Sequence, residues 1–264
     1  MEQIWIGTSW KMNKPLSEAM LWCETVAQRL PGMLHPKIQP FVIPPFTAIH
    51  PVSQYLHQHQ LPCLTGAQNM NSAENGAWTG EISAAMLVET GATLVELGHS
   101  ERRGAFNETD AAINQKVHSA LRHGLRPLIC IGDSADEKRW QVSRETVVRQ
   151  MKIALYGVSE QQALQTLVAY EPVWAIGEQG TPATPEQAGE IHQALRQALC
   201  ETFGRETGQL VPLLYGGSVN RQNAVELLHQ DDINGLFIGR AAWDANGYCD
   251  IVQCVTEKII LQAQ

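Results

Sequence analysis

Eight short apolar runs, evenly spaced and separated by helical patterns, leave this chain few folds to choose from. They cover about Ile4–Thr8, Gln39–Ile43, Cys63–Ala67, Leu94–Leu97, Arg126–Ile131, Thr166–Tyr170, Val211–Tyr215 and Gly235–Ile238. Each is short and mostly non-alternating, the pattern of a strand covered on both faces. Between them, Leu16–Leu30, Glu81–Glu89, Asp110–His123, Gln141–Leu155, Thr184–Thr202 and Arg221–His229 place apolar residues at helical spacing. Ser17 is a candidate cap for the first of these helices and Asn220 for the last. Thr184-Pro185-Glu186-Gln187 is a strong start: a capping hydroxyl, proline at the first helical position, glutamine at the third.

Repeated strand–helix alternation predicts a parallel sheet, and eight strands suffice to close it into a (β/α)8 barrel. An open doubly wound sheet is the competing arrangement. It would carry a Gly-rich phosphate loop after the first strand, where this chain has Thr8-Ser9-Trp10-Lys11. With 264 residues and no internal linker, the chain reads as one domain, 1–264.

Net charge is −8 and no basic stripe is present, which argues against nucleic acid as a partner. No apolar run is long enough to span a membrane, and the N-terminus lacks the features of a signal peptide. The six cysteines are scattered without a Cys-x-x-Cys pair, as in a reduced, cytoplasmic protein.

In a barrel of this kind the site lies where strands end and loops begin. Polar residues and glycines gather there from five strands: Ser9-Trp10-Lys11-Met12-Asn13, Gly98-His99-Ser100-Glu101-Arg102-Arg103, Glu171-Pro172-Val173-Trp174, Gly216-Gly217-Ser218 and Gly239-Arg240. Taken singly each has a plain reading. Lys11 is a solvated lysine, His99 a structural imidazole, Glu171 a turn residue before proline, and Gly216-Gly217 a turn. At one barrel mouth they form a reaction site. His57-Gln58-His59 lacks a carboxylate cluster and reads as a polar helix end, so no metal is expected.

These segments, with Gly66-Ala67-Gln68-Asn69 and Thr79-Gly80-Glu81-Ile82-Ser83, resemble the triosephosphate isomerase family from about Ile6 to Gly239. The resemblance implies a single-domain TIM barrel and a cofactor-independent isomerase working through an enediol. It implies that Glu171 is the base, that a neutral His99 polarises the carbonyl from the start of a short helix, and that Lys11 supplies positive charge. Glu101 then positions Lys11, or pairs instead with Arg102 or Arg103. Gly177, Ser218 and Gly239, with Gly217, would bind phosphate. Pro172–Ala183 would be the family's mobile lid. Gln68–Gly80 would dock into a second subunit, with Thr79 reaching towards the partner's lysine, so a homodimer is expected.

Three positions depart from the family pattern. Ser9 replaces the usual asparagine, the lid Gly177-Glu178-Gln179-Gly180-Thr181-Pro182-Ala183 is one residue longer and lacks its lysine, and Arg240 follows Gly239 in place of a second glycine. Arg240 either adds charge to phosphate binding or braces its loop. The first two changes enlarge the pocket. Together these segments also look like the tetrulose-phosphate isomerases of bacterial erythritol catabolism. The expected substrate is therefore L-erythrulose 1-phosphate, with D-erythrulose 4-phosphate as product. Drift within an ordinary triosephosphate isomerase and a non-catalytic barrel that binds a phosphorylated metabolite are the competing readings.

Overall fold

The computed structural model describes residues 3–176, 180 and 182–262. Eight parallel strands close into a barrel in chain order: β1 (Ile4–Ser9), β2 (Ile38–Ile43), β3 (Leu64–Ala67), β4 (Leu94–Leu97), β5 (Arg126–Ile131), β6 (Leu167–Tyr170), β7 (Leu213–Tyr215) and β8 (Gly235–Ile238). β1 and β8 meet through Trp5↔Gly235 to Thr8↔Ile238, so the ring has no open edge. Helices over Leu16–Arg29, Ile49–Gln58, Ala84–Glu89, Asp110–Arg122, Ser143–Ala154, Pro185–Leu210, Ala224–Leu227 and Ala245–Gln262 follow the strands in turn.

The apolar runs make this possible because both faces of each strand are buried. Trp5, Phe41, Leu94, Leu128, Leu167, Leu214 and Phe237 fill the barrel interior. Val42, Val95, Leu97, Ile129 and Val168 face outwards against helix residues such as Trp22, Leu199 and Val252. In β4, Leu94 points in while Val95 and Leu97 point out. By the two-residue alternation, Glu96 also points into the barrel.

Several element ends differ from the sequence reading. The first helix begins at Leu16 with Pro15 as its cap residue and no side-chain cap bond; Ser17 lies already inside the first turn. The helix expected from Glu81 starts at Ala84, where the Ser83 hydroxyl accepts the Met86 N–H. Glu81 stays in the preceding loop, accepting a hydrogen bond from Asn71 at 2.9 Å. The helix expected to end at Thr202 runs to Leu210 across a kink at Gly204, whose φ of 78° lies in the left-handed region.

Two of the longer helices lie outside the spans read as helical, although the end of the first was read at His57-Gln58-His59. In Ile49–Gln58, Pro51 sits in the first turn, where the missing N–H costs nothing. Ala245–Gln262 is rich in β-branched residues and contains Gly247, yet Ile251, Val252 and Val255 are buried against the barrel. Burial overrides local propensity there. Among the described residues, no helix is long and apolar enough to cross a membrane. All six cysteines are free thiols.

Candidate active site

The C-terminal ends of the strands surround a cavity of about 350 Å3. Its lining includes Ser9, Lys11, His99, Glu171, Gly217, Ser218, Gly239 and Arg240. Thus β1, β4, β6, β7 and β8 each deliver residues to it. Gly216, from the strand-end motif, also lines the cavity, as do Asn220, Ile176 and Trp243, which were not read as site residues from sequence. Gly177 lies outside the described residues, as do positions 178, 179 and 181 of the lid sequence.

Glu171 follows β6, and its backbone N–H is tied to the Ile131 carbonyl at 2.7 Å. Its side chain is buried and bridges two groups from the β4 end. Oε1 stands 3.0 Å from His99 Nε2, and Oε2 accepts the Ser100 N–H at 3.1 Å. Burial by itself raises a carboxyl pKa. Here the His99 ring, the Ser100 amide and Lys11 outweigh it and hold Glu171 below the usual carboxylate range. A carboxylate so held is ionised and ready to accept a proton at neutral pH.

His99 caps the short helix Ser100–Ala105. The Glu101 N–H points to its Nδ1 at 3.2 Å, and its Nε2 lies 3.0 Å from Glu171 Oε1. Burial lowers the ring's pKa, but Glu171 and then Glu96 overcome that and draw it up to about 9 in the ligand-free site. This opposes the lowering expected from the helix start.

Lys11 Nζ is 2.7 Å from Glu101 Oε1, while Arg102 faces Glu108 at 3.5 Å and Arg103 faces Asp110 at 2.5 Å. The lysine backbone has a φ of 54°, costly for a non-glycine residue by about 1 kcal/mol. Gln68 holds it there, donating to the Lys11 carbonyl at 2.8 Å. Asn223 fixes the phosphate-loop candidate Ser218 by donating to its carbonyl at 2.9 Å. Arg240 is exposed at the rim, beside Gly239. Thr79 is also exposed, on the loop after β3, and is not among the residues lining the cavity.

Two functional positions escaped the sequence reading. Asp133, fully buried after β5, accepts hydrogen bonds from Tyr170 at 2.8 Å, Trp174 at 3.0 Å and Ser143 at 2.6 Å. It anchors the residues that flank Glu171. The other is Glu96, whose Oε2 accepts the Ser9 hydroxyl at 2.8 Å and whose Oε1 lies 3.9 Å from His99 Nε2. A charged residue inside an apolar strand was the visible signal. Glu96, His99 and Glu171 bring one ligating atom each within 4.8 Å of one another, a spacing that also admits a cation.

A closed eight-stranded barrel with a carboxylate, an imidazole and a lysine around one small cavity defines a proton-transfer enzyme of the barrel class. The triosephosphate isomerase family model matches residues 4–255. The chain is 48% identical over 250 residues to the L-erythrulose-1-phosphate isomerase of Mesorhizobium japonicum, covering 94% of this chain and 95% of that protein. It is 47% identical to the protein of that name from Rhizobium etli, over 97% of this chain and 94% of the relative. For the one from Mycolicibacterium smegmatis the identity is 46%, over 95% and 92%. The chain belongs to the triosephosphate isomerase family.

Proposed function

We propose that this chain is a single-domain isomerase converting L-erythrulose 1-phosphate to D-erythrulose 4-phosphate without a cofactor. The observation that carries the proposal is the 3.0 Å contact between Glu171 and His99 across a cavity that Lys11 and Ser9 also line. Similarity at 46–48% identity to three proteins named for this substrate supports the choice of sugar.

Glu171 removes the proton from C3 of the substrate, and the electron pair moves into a C2–C3 double bond. The C2 carbonyl oxygen takes the negative charge, facing His99 Nε2–H and the Lys11 ammonium. His99 then relays a proton between the two enediol oxygens. Glu171 returns its proton to C2, leaving the carbonyl on C3. Atoms balance and nothing is oxidised overall. No step requires a metal.

Ser218, Gly217, Gly239 and Gly177 are assigned to the phosphate, with Arg240 at the rim adding charge. Backbone N–H groups in glycine-rich loops approach an anion closely, and the helical turn after Gly239 favours negative charge. Glu101 positions Lys11 through its ion pair. Residues 172–183 are assigned as the lid.

The protein is further proposed to act as a cytoplasmic homodimer. The loop after β3 exposes Trp78 at 57% and is assigned as the arm that docks into a second subunit, with Thr79 as its site-facing residue. Met12, beside Lys11, is 95% exposed, an apolar side chain suited to cover by a partner.

The test is kcat/KM on L-erythrulose 1-phosphate against dihydroxyacetone phosphate. A preference of at least tenfold for the four-carbon sugar is expected, about 1.4 kcal/mol of transition-state binding. A tenfold preference for the three-carbon sugar makes the chain an ordinary triosephosphate isomerase. No turnover of either would leave a binding protein.

A further inference from the structure

Glu96 is an anomaly that the reaction above does not use. It is 2% exposed, on a strand whose other residues are apolar, and it points into the barrel directly beneath the site. Its surroundings satisfy only half of it. Oε2 accepts the Ser9 hydroxyl at 2.8 Å, whereas Oε1 accepts no hydrogen bond among the described residues. A buried carboxylate oxygen left without a donor costs stability, and one placed beside a reaction cavity can take its donor from a ligand.

The chemistry of that missing donor is restricted. A phosphate or a carbonyl oxygen can only accept, whereas a hydroxyl can donate to a bare carboxylate oxygen or accept from the protonated carboxyl. The position along the ligand is restricted as well. The candidate phosphate loops follow β7 and β8, and β4 stands four strands away from β8 in either direction round the ring. A short extended ligand with its phosphate at β7 and β8 therefore points its far end at β4. Between the two ends lie His99 and Lys11, which serve the enediol oxygens. Ser9, His99 and Glu171 all line the cavity, and Glu96 lies behind them, within 3.9 Å of His99 Nε2.

We propose that Glu96 binds the hydroxyl on the carbon furthest from the phosphate, and that the Ser9–Glu96 pair selects a four-carbon ketose phosphate over a three-carbon one. The proposal rests on the substrate reading given above. Ser9 has two parts in it. Its small side chain lines the cavity, and its hydroxyl holds Oε2, which leaves Oε1 as the oxygen for a ligand's hydroxyl. A three-carbon substrate ends one carbon short and leaves Oε1 without a donor. A site built to bond a hydroxyl rejects ligands that lack it more strongly than an apolar pocket rejects a missing methylene.

The experiment compares L-erythrulose 1-phosphate with its 4-deoxy analogue, which carries a methyl group in place of the terminal CH2OH. For the unmodified enzyme, kcat/KM is expected to fall at least tenfold on the analogue. In Glu96→Leu that gap is expected to close to within about threefold. Glu96→Gln, nearly the same size and still able to accept from Ser9, serves if the leucine variant does not fold. Its gap is expected to shrink at least threefold. A gap that stays the same in the folded variants overturns the proposal. So does an equal loss on both compounds, which would make Glu96 a support for His99. Dihydroxyacetone phosphate distinguishes the two layers of the argument. If the unmodified enzyme prefers it, the substrate reading and the inference fall together. If the unmodified enzyme prefers the four-carbon sugar but the gap survives in the variants, only the inference fails.

Discussion

Glu171 has little room to be wrong. Shortening it with Glu171→Asp withdraws the carboxylate from His99 and Ser100 by about the length of one bond. Displacements of about 1 Å cost on the order of 10²-fold in rate. The expected result is a kcat reduced by about that factor with KM nearly unchanged, measured by steady-state kinetics. Gly216→Ala tests the same placement from behind. A Cβ there would come within 3.0 Å of Glu171 Cγ, so the side chain must give by a few tenths of an ångström. A drop in kcat of about tenfold is expected, with Tm changed little. Glu96 gives a pH test of stability. Burial pushes its carboxyl up to about 7 in the folded protein, against 4.5 for the unperturbed group. Between those values the native state holds a proton that the unfolded state has lost, so stability falls as pH rises through the window. Glu96→Gln does not titrate. Its Tm should gain on that of the unmodified protein from pH 5 to pH 7.5, by up to about 3 kcal/mol in stability terms. A gain that shrinks over that range contradicts the assignment. That Lys11, His99 and Glu171 share one cavity was readable because each follows a strand, while the roles proposed for them came from the family resemblance. Glu96 was in plain view inside Leu94-Val95-Glu96-Leu97, but its meaning depends on Ser9, which is 87 residues away in sequence. The exchange at Ser9 read as making room, with no sign of its partner.

At the level of elements, the turn after β6 depends on one anion. Asp133 ties together Tyr170 at the end of β6, Trp174 in the helical turn Val173–Ala175, and Ser143 at the start of the helix Ser143–Ala154 that precedes β6. Trp174→Phe removes one hydrogen bond to a charged group, at a cost of about 1–2 kcal/mol. A fall in Tm of about 2–4 °C per kcal/mol follows for a chain of this length, measured by calorimetry. Strand positions were legible because continuous apolar runs leave few registers. Their ends were less so, and Leu213–Tyr215 begins two residues later than the apolar run at Val211 suggests. The helix Ala245–Gln262 was not legible. Its β-branched residues favour strands, and only the barrel surface that buries them decides otherwise.

On the scale of the whole molecule, Met12 and Trp78 are large exposed apolar side chains, and the proposed homodimer would cover them. Light scattering at working concentration should report a dimer. Trp78→Glu should shift it towards monomer and lower kcat, since Lys11 would lose its neighbour from the other subunit. A monomer of full activity would count against the homodimer. Closure of the sheet carries a further meaning. Every strand is held by a neighbour on each side, so none can slide to suit a new ligand without dragging the ring along. A change of diet is then open to this scaffold only through side chains at the rim, exchanged singly or in pairs across strands. β1 and β4 are not adjacent, and yet a serine on one and a glutamate on the other touch through the hollow middle. Grafting that duo onto a three-carbon relative is the kind of transplant a rigid hoop permits.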